Sequence, residues 1–233
     1  MKAVKAIFFD FDNTLVDDDA CLRIALERVA GEIGAHLAEE VRHVLSDTYR
    51  GISDAFWLTT PSVDDIAGTR LRLWREALTS LGCLDDLVAA AARDAYQRHR
   101  MEICEPYEET LEVIELLSQR YRLAIISNGG DEQQRSRLKF AGMAHHFELV
   151  VTSDLGVGKP HPAIFEHALS QLRLDPAAVW HVGDRLDADV LGAHNAGLTS
   201  VWLNRTGASR TPDHPEPHHE IASLRELMGL LDL

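Results

Sequence analysis

Cysteine is scarce in this chain, with 3 in 233 residues, at Cys21, Cys83 and Cys104. The number is odd, the spacing is wide and no C-x-x-C occurs. A disulfide framework or a structural zinc site is therefore excluded as the organising device. Cations are short too: Lys and Arg total 23 against 37 Asp and Glu, a formal net charge of −14. So acidic a chain offers no broad surface to nucleic acid or to an anionic membrane. A small anionic substrate stays open to it, because one local cation or Lys reverses the field inside a pocket. No apolar run reaches the roughly 18 residues that a membrane span needs. The opening MKAVKAIFF meets Asp10 too soon for a signal-peptide core. A reducing, cytoplasmic setting is the expectation. There is no internal repeat, and the nearest thing to low complexity is the Pro- and His-rich TPDHPEPHH at 211–219.

What is present reads as strands alternating with helices. Five short apolar runs lack clean alternation and are followed by turn residues, the pattern of buried parallel strands. They are 3–9, 121–127, 147–152, 178–183 and 198–204, with HEI at 219–221 as a marginal sixth. Amphipathic helices are predicted over 107–120, where Leu111, Ile114 and Leu117 share a face, and over 161–172, which starts at Pro162. Such alternation implies an α/β fold, a parallel sheet with helices on both faces. Residues 17–103 break it. They hold no convincing strand and read as helices near 18–34, 38–50, 63–81 and 84–101, with Asp17-Asp18-Asp19 capping the first. The expected organisation is a core of 1–16 and 104–233 with an all-helical insert of 17–103.

Ligands of open parallel sheets bind beyond the carboxyl ends of the strands. Asp10 and Asp12 follow the first strand, and Ser127-Asn128-Gly129-Gly130 the second. A loop with Gly156, Gly158 and Lys159-Pro160 follows the third, and Gly183-Asp184 with Asp187 and Asp189 the fourth. Two unit charges about 4 Å apart repel by roughly 4 kcal/mol at an effective dielectric near 20. Clustered carboxylates must therefore rise in pKa or share a cation. All-oxygen ligands suit Mg²⁺, which also takes substrate phosphate oxygens. Ser127 and the amides after it can hold phosphate, and Lys159 can neutralise it. One carboxylate can attack phosphorus while a second handles the proton.

These residues carry a resemblance. Asp10-Phe11-Asp12-Asn13-Thr14-Leu15 after a hydrophobic strand resembles the D-x-D-x-T-L signature of the haloacid dehalogenase-like superfamily. Ser127-Asn128-Gly129 resembles its second motif, Lys159-Pro160 its third, and Gly183-Asp184-x4-Asp189 its fourth. The resemblance implies a Rossmann-like core with a helical cap inserted after the first strand. It implies Asp10 as nucleophile and Mg²⁺ ligand, Asp12 as acid/base with its carbonyl on the metal, and Ser127, Asn128, Gly129 and Lys159 on the phosphate. Asp184 would bind Mg²⁺ directly and Asp189 would act through water or toward Lys159. Asp187, off the motif spacing, is read as capping the next helix. The activity implied is phosphomonoester hydrolysis on a small phosphorylated metabolite, by a monomer or homodimer. A mutase or phosphotransferase shares the motifs. A 2-haloacid dehalogenase keeps the first Asp but lacks the acid two residues on, so Asp12 disfavours it. The core is similar to pyrimidine 5′-nucleotidases and sialic-acid-phosphate phosphatases, including Val201-Trp202-Leu203-Asn204.

The helical insert carries no diagnostic motif. Trp57, Arg70, Trp74 and Arg50 could face a substrate, but Leu71, Trp74 and Leu78 fall at helical spacing and read as a buried stripe. His145, His146, His214, His218 and His219 read as loop residues, and imidazoles suit Mg²⁺ poorly.

Overall fold

The computed structural model describes residues 3–60, 63 and 65–233. The chain divides into two compact units, Met1–Asp17 with Glu105–Leu233, and Asp18–Cys104.

The first unit is built on a parallel sheet. Its strands are β1 (Ala6–Phe9), β2 (Arg122–Ser127), β3 (Leu149–Thr152), β4 (Val179–Gly183), β5 (Thr199–Leu203) and β6 (His219–Ile221), in the order β3-β2-β1-β4-β5-β6. The marginal HEI run is thus a strand, and His219 lies in it rather than in a loop. All four residues of β1 are fully buried, because both faces of the sheet are covered. Ala6 and Phe8 join a core with Ile164, Phe165 and Ala168, while Ile7 and Phe9 alternate to the other face. The sheet order reverses direction at β1, the switch point where a crevice opens beyond the strand ends.

The second unit is helical: α1 (Asp18–Ile33), α2 (Glu39–Thr59), α3 (Ile66–Ser80) and α4 (Asp86–Glu102). The third predicted helix began at 63, and Asp64 lies outside the described residues. Helix α2 runs nine residues past the expected end at 50. Gly51 is exposed and costs a helix only about 1 kcal/mol relative to Ala. Tyr49 and Ser53 on either side are buried, so packing outweighs that cost. Trp74 is buried and stacks on Tyr49 with centroids 3.7 Å apart, as the stripe reading expected. Arg50 pairs with Asp19 at 2.5 Å, Arg100 with Asp18 at 2.6 Å, and Arg70 lies half-buried over Tyr96.

The sheet unit adds α5 (Thr110–Ser118), α6 (Asp131–Phe140), α7 (Pro162–Leu172), a short α8 (Leu191–Asn195) after a π-helical turn, and α9 (Glu226–Leu230). Leu111 of α5 is exposed, and Val113 takes the buried place beside Ile114 and Leu117. No helix among the described residues is long and apolar enough to cross a membrane.

Candidate active site

The segment leaving β1 turns sharply. Leu15 and Val16 both donate their backbone N–H to Phe11 O, and Asn13 takes φ +58°. Asn tolerates that left-handed conformation better than most side chains. The turn sets Asp10 at the end of the buried strand, 6% exposed, and leaves Asp12 partly open. Thr14 donates its hydroxyl to Asp10 Oδ2 at 3.2 Å.

Lys159 reaches Asp10 from the loop after β3. Its Nζ lies 2.5 Å from Asp10 Oδ1 and 2.7 Å from Asp189 Oδ1. Asn128 holds the Lys159 backbone at both ends, donating to its carbonyl at 3.0 Å and accepting from its N–H at 2.7 Å. Asn128 thereby fixes where the Lys side chain starts. Asp189 is fully committed: Oδ1 also meets His181 Nε2 at 3.0 Å, and Oδ2 accepts from Arg185 N at 3.0 Å. A Cβ on Gly183 would overlap the Asp189 carboxylate, so the glycine ending β4 makes room for it. Asp187 is exposed and pairs with Arg185 at 2.6 Å, so it does not cap the next helix as the sequence suggested. Arg185, two residues away, presents a two-donor fork that outcompetes a single backbone N–H.

Carboxylate oxygens of Asp10, Asp184 and Asp189 all lie within 4.8 Å of one another. Burial pushes Asp10 up to about 7, with Lys159 pulling it down and Asp189 and Asp12 adding to the rise. Burial, then the charges of Asp10 and Asp189, push Asp184 up to about 8. Asp189 goes the other way: its burial is more than offset by Lys159 and His181, which hold it well below the usual carboxylate range. Lys159 is buried, yet the charges of Asp10 and Asp189 keep it ammonium. One buried cation thus faces three acids: it touches Asp10 and Asp189, and Asp10 keeps a raised affinity for protons despite that contact, as does Asp184. No side chain among the described residues donates to the Asp184 carboxylate. The all-oxygen donor set and its excess negative charge fit a hard divalent ion such as Mg²⁺.

The end of β2 supplies Ser127, whose Oγ accepts from Gly129 N at 3.0 Å and from Gln134 Nε2 at 2.9 Å. Gln134 and Arg137 come from α6 and were not foreseen. Gln134 Nε2 lies 2.5 Å from Asp12 Oδ2, and Arg137 Nη1 lies 2.5 Å from Asp12 Oδ1. Both are buried, and the Arg137 guanidinium lies over the Phe11 ring, centroid 5.1 Å away. Thus Asp10, Lys159, Asp184 and Asp189 form one cluster, while Asp12, Ser127 and Gln134 form a second. Asn128 and the motif backbones join them. The usable signal was spacing: Gln134, Arg137 and Leu138 fall at i, i+3, i+4, one helical face.

A family model for haloacid dehalogenase-like hydrolases matches residues 4–197. N-acylneuraminate-9-phosphatase of Rattus norvegicus is 28% identical over 238 residues, covering 99% of this chain and 95% of that one. Pyrimidine 5′-nucleotidase YjjG of Escherichia coli strain K12 is 30% identical over 227 residues, covering 97% and 96%. Among solved structures, a 2-haloacid dehalogenase from Pseudomonas syringae pv. Tomato DC3000 superposes with a TM-score of 0.71. It is 26% identical and 98% of each chain is covered.

Proposed function

The chain belongs to the haloacid dehalogenase-like hydrolase family, and from that premise we propose that it is a Mg²⁺-dependent phosphatase of small phosphomonoesters. The observation that carries this reading is Lys159 lying between the buried carboxylates of Asp10 and Asp189, with Asp184 beside them. In this reading 1–16 with 104–233 is the catalytic core and 17–103 the cap.

Asp10 is the nucleophile. Its carboxylate oxygen forms a bond to phosphorus while the bond to the substrate's ester oxygen breaks. Asp12 gives that leaving oxygen a proton. Water then attacks the aspartyl-phosphate, Asp12 takes a proton from it, and the bond between Asp10 and phosphorus breaks to release phosphate. Ser127 and the amide at Asn128 hold the phosphoryl oxygens, the Gly129 N–H supports Ser127 Oγ, and Lys159 balances the charge. Asp10, Asp184 and the carbonyl of Asp12 would hold Mg²⁺. Asp189 supports the site through Lys159, with His181 on the same oxygen and the Arg185 N–H on the other. When bound, the ion supplies charge neutralisation at the phosphoryl group.

The named relatives act on a sugar-acid phosphate and on nucleotides, which supports a nucleoside monophosphate or a sugar phosphate as substrate. A mutase or phosphotransferase would use the same steps with a different acceptor. Similarity to a dehalogenase favours a second reading, which Asp12 opposes. The test is p-nitrophenyl phosphate turnover with Mg²⁺ or with EDTA, and 2-chloropropionate in parallel. Metal-dependent hydrolysis that Asp10→Asn abolishes supports the proposal. Metal-independent turnover, or dechlorination without ester hydrolysis, overturns it. A panel of phosphorylated metabolites then narrows the substrate.

A further inference from the structure

Arg137 can only donate hydrogen bonds. The atom of the Gln134 amide that faces its Nη1 at 3.2 Å is therefore Oε1. That choice turns the amide nitrogen toward Ser127 and Asp12. One of its hydrogens goes to Ser127 Oγ and the other to Asp12 Oδ2.

The consequence falls on the serine. A hydroxyl has two acceptor lone pairs and one hydrogen. Both lone pairs of Ser127 are taken, by Gly129 N and by Gln134. Its hydrogen has no acceptor among the hydrogen bonds of the described residues, although Ser127 is 1% exposed. A buried donor without a partner is costly, and an incoming anionic oxygen removes that cost. The same amide and Arg137 occupy both oxygens of Asp12, which fixes where its carboxylate points. Gly129 belongs to the same construction, since a Cβ there would overlap the Gln134 amide.

We infer that Gln134, oriented by Arg137, is the positioning residue that makes Ser127 a one-way donor to a phosphoryl oxygen and couples it to Asp12. The inference rests on the phosphatase reading of the site. It explains why a helix so polar as α6 buries a glutamine and an arginine at the sheet edge. Ser127 is the phosphate contact, and Gln134 decides the direction of its hydrogen.

Gln134→Glu tests this without changing shape. A carboxylate cannot donate, so it would turn the Ser127 hydrogen onto itself and repel Asp12. Gln134→Met removes both donors and adds no charge. The inhibition constant of inorganic phosphate, read from p-nitrophenyl phosphate kinetics with Mg²⁺, should rise about tenfold or more in Gln134→Glu and less in Gln134→Met. Thermal shift with phosphate should weaken in the same order. A packing role predicts the reverse order, because Glu is the closer match in shape. Phosphate affinity like wild type in Gln134→Glu overturns the inference. If that variant does not fold, Gln134→Met decides alone, and unchanged phosphate affinity there overturns it equally. A wild-type protein that neither binds phosphate nor hydrolyses the ester defeats the phosphatase reading and this inference together. An active wild type with an indifferent Gln134 defeats this inference only.

Discussion

Lys159 Nζ stands 2.5 Å from Asp10 Oδ1 and 2.7 Å from Asp189 Oδ1, so a single buried ammonium binds two buried carboxylates. Lys159→Met should leave those acids uncompensated. Turnover should fall by about 10²–10³, the usual cost of removing one preorganised charge-stabilising donor. Lys159→Arg should not restore it, because the side chain is 3% exposed and a guanidinium overfills the space. Steady-state kinetics with a melting curve for each variant check this. A Lys159→Arg enzyme near wild-type kcat would show that charge alone suffices.

Asp12 separates turnover from stability. Asp12→Ala should retain the Mg²⁺-induced thermal shift yet lose roughly 10²–10⁴ in kcat, the contribution of general acid–base catalysis. It also removes one carboxylate partner of the fully buried Arg137, so it should cost about 3 kcal/mol of folding stability. Asp12→Asn keeps an acceptor for Arg137. It should be equally inactive but clearly more stable. Urea unfolding of both variants decides the point, and equal stabilities would mean the pair contributes little.

Metal-free protein should grow less stable as pH rises from 6.5 to 8, above the range in which buried His181 and the other lowered histidines act the other way. Asp10 and Asp184 bind protons up to about 7 and about 8 in the folded chain, against 3.8 when unfolded. In that window the folded state holds more protons, so raising pH favours unfolding. Asp189 has the opposite sign, but its window lies below pH 4. Added Mg²⁺ should raise Tm more at pH 8 than at pH 5, and Asp184→Asn should flatten the trend. A Mg²⁺ effect independent of pH would disconnect the acid cluster from the ion.

Strands and strand-end acids were legible because burial on both sheet faces leaves unbroken apolar runs such as Ile7-Phe8-Phe9. The first and fourth motifs then stood out as charge where apolar residues stop. Helix α6 was not legible. Its sequence DEQQRSRLKF buries Gln134 and Arg137 beside Leu138, so hydrophobic periodicity is nearly silent there. Polar residues buried for mutual hydrogen bonding look like surface in a sequence. The end of α2 failed for a related reason, since Gly51 argues locally for a stop while tertiary packing of Tyr49 and Ser53 argues against it. Asp187 was misread because the arginine two residues before it was not weighed as a partner.

Glu109 and Arg205 support the turn that carries Asp10. Arg205 Nη1 lies 2.6 Å from Glu109 Oε1, and its Nη2 donates to Thr14 O at 3.2 Å. Thr14 in turn holds Asp10 Oδ2. Burial tends to raise the Glu109 carboxyl, but Arg205 more than offsets this and holds it below its ordinary value of 4.5. A depressed carboxyl contributes stability that is present above pH 4.5 and lost as pH falls through the folded value. Glu109→Gln should therefore cost roughly 3 kcal/mol at pH 7, the scale for breaking a buried pair. The difference from wild type should shrink as pH falls through the folded Glu109 value, below 4.5, where wild-type Glu109 also becomes neutral. Urea midpoints at pH 7 and pH 3.5 read this directly. Because the pair also fixes Thr14, kcat should fall several-fold with KM little changed. Equal stability loss at both pH values would assign Glu109 to packing and remove its charge from the account.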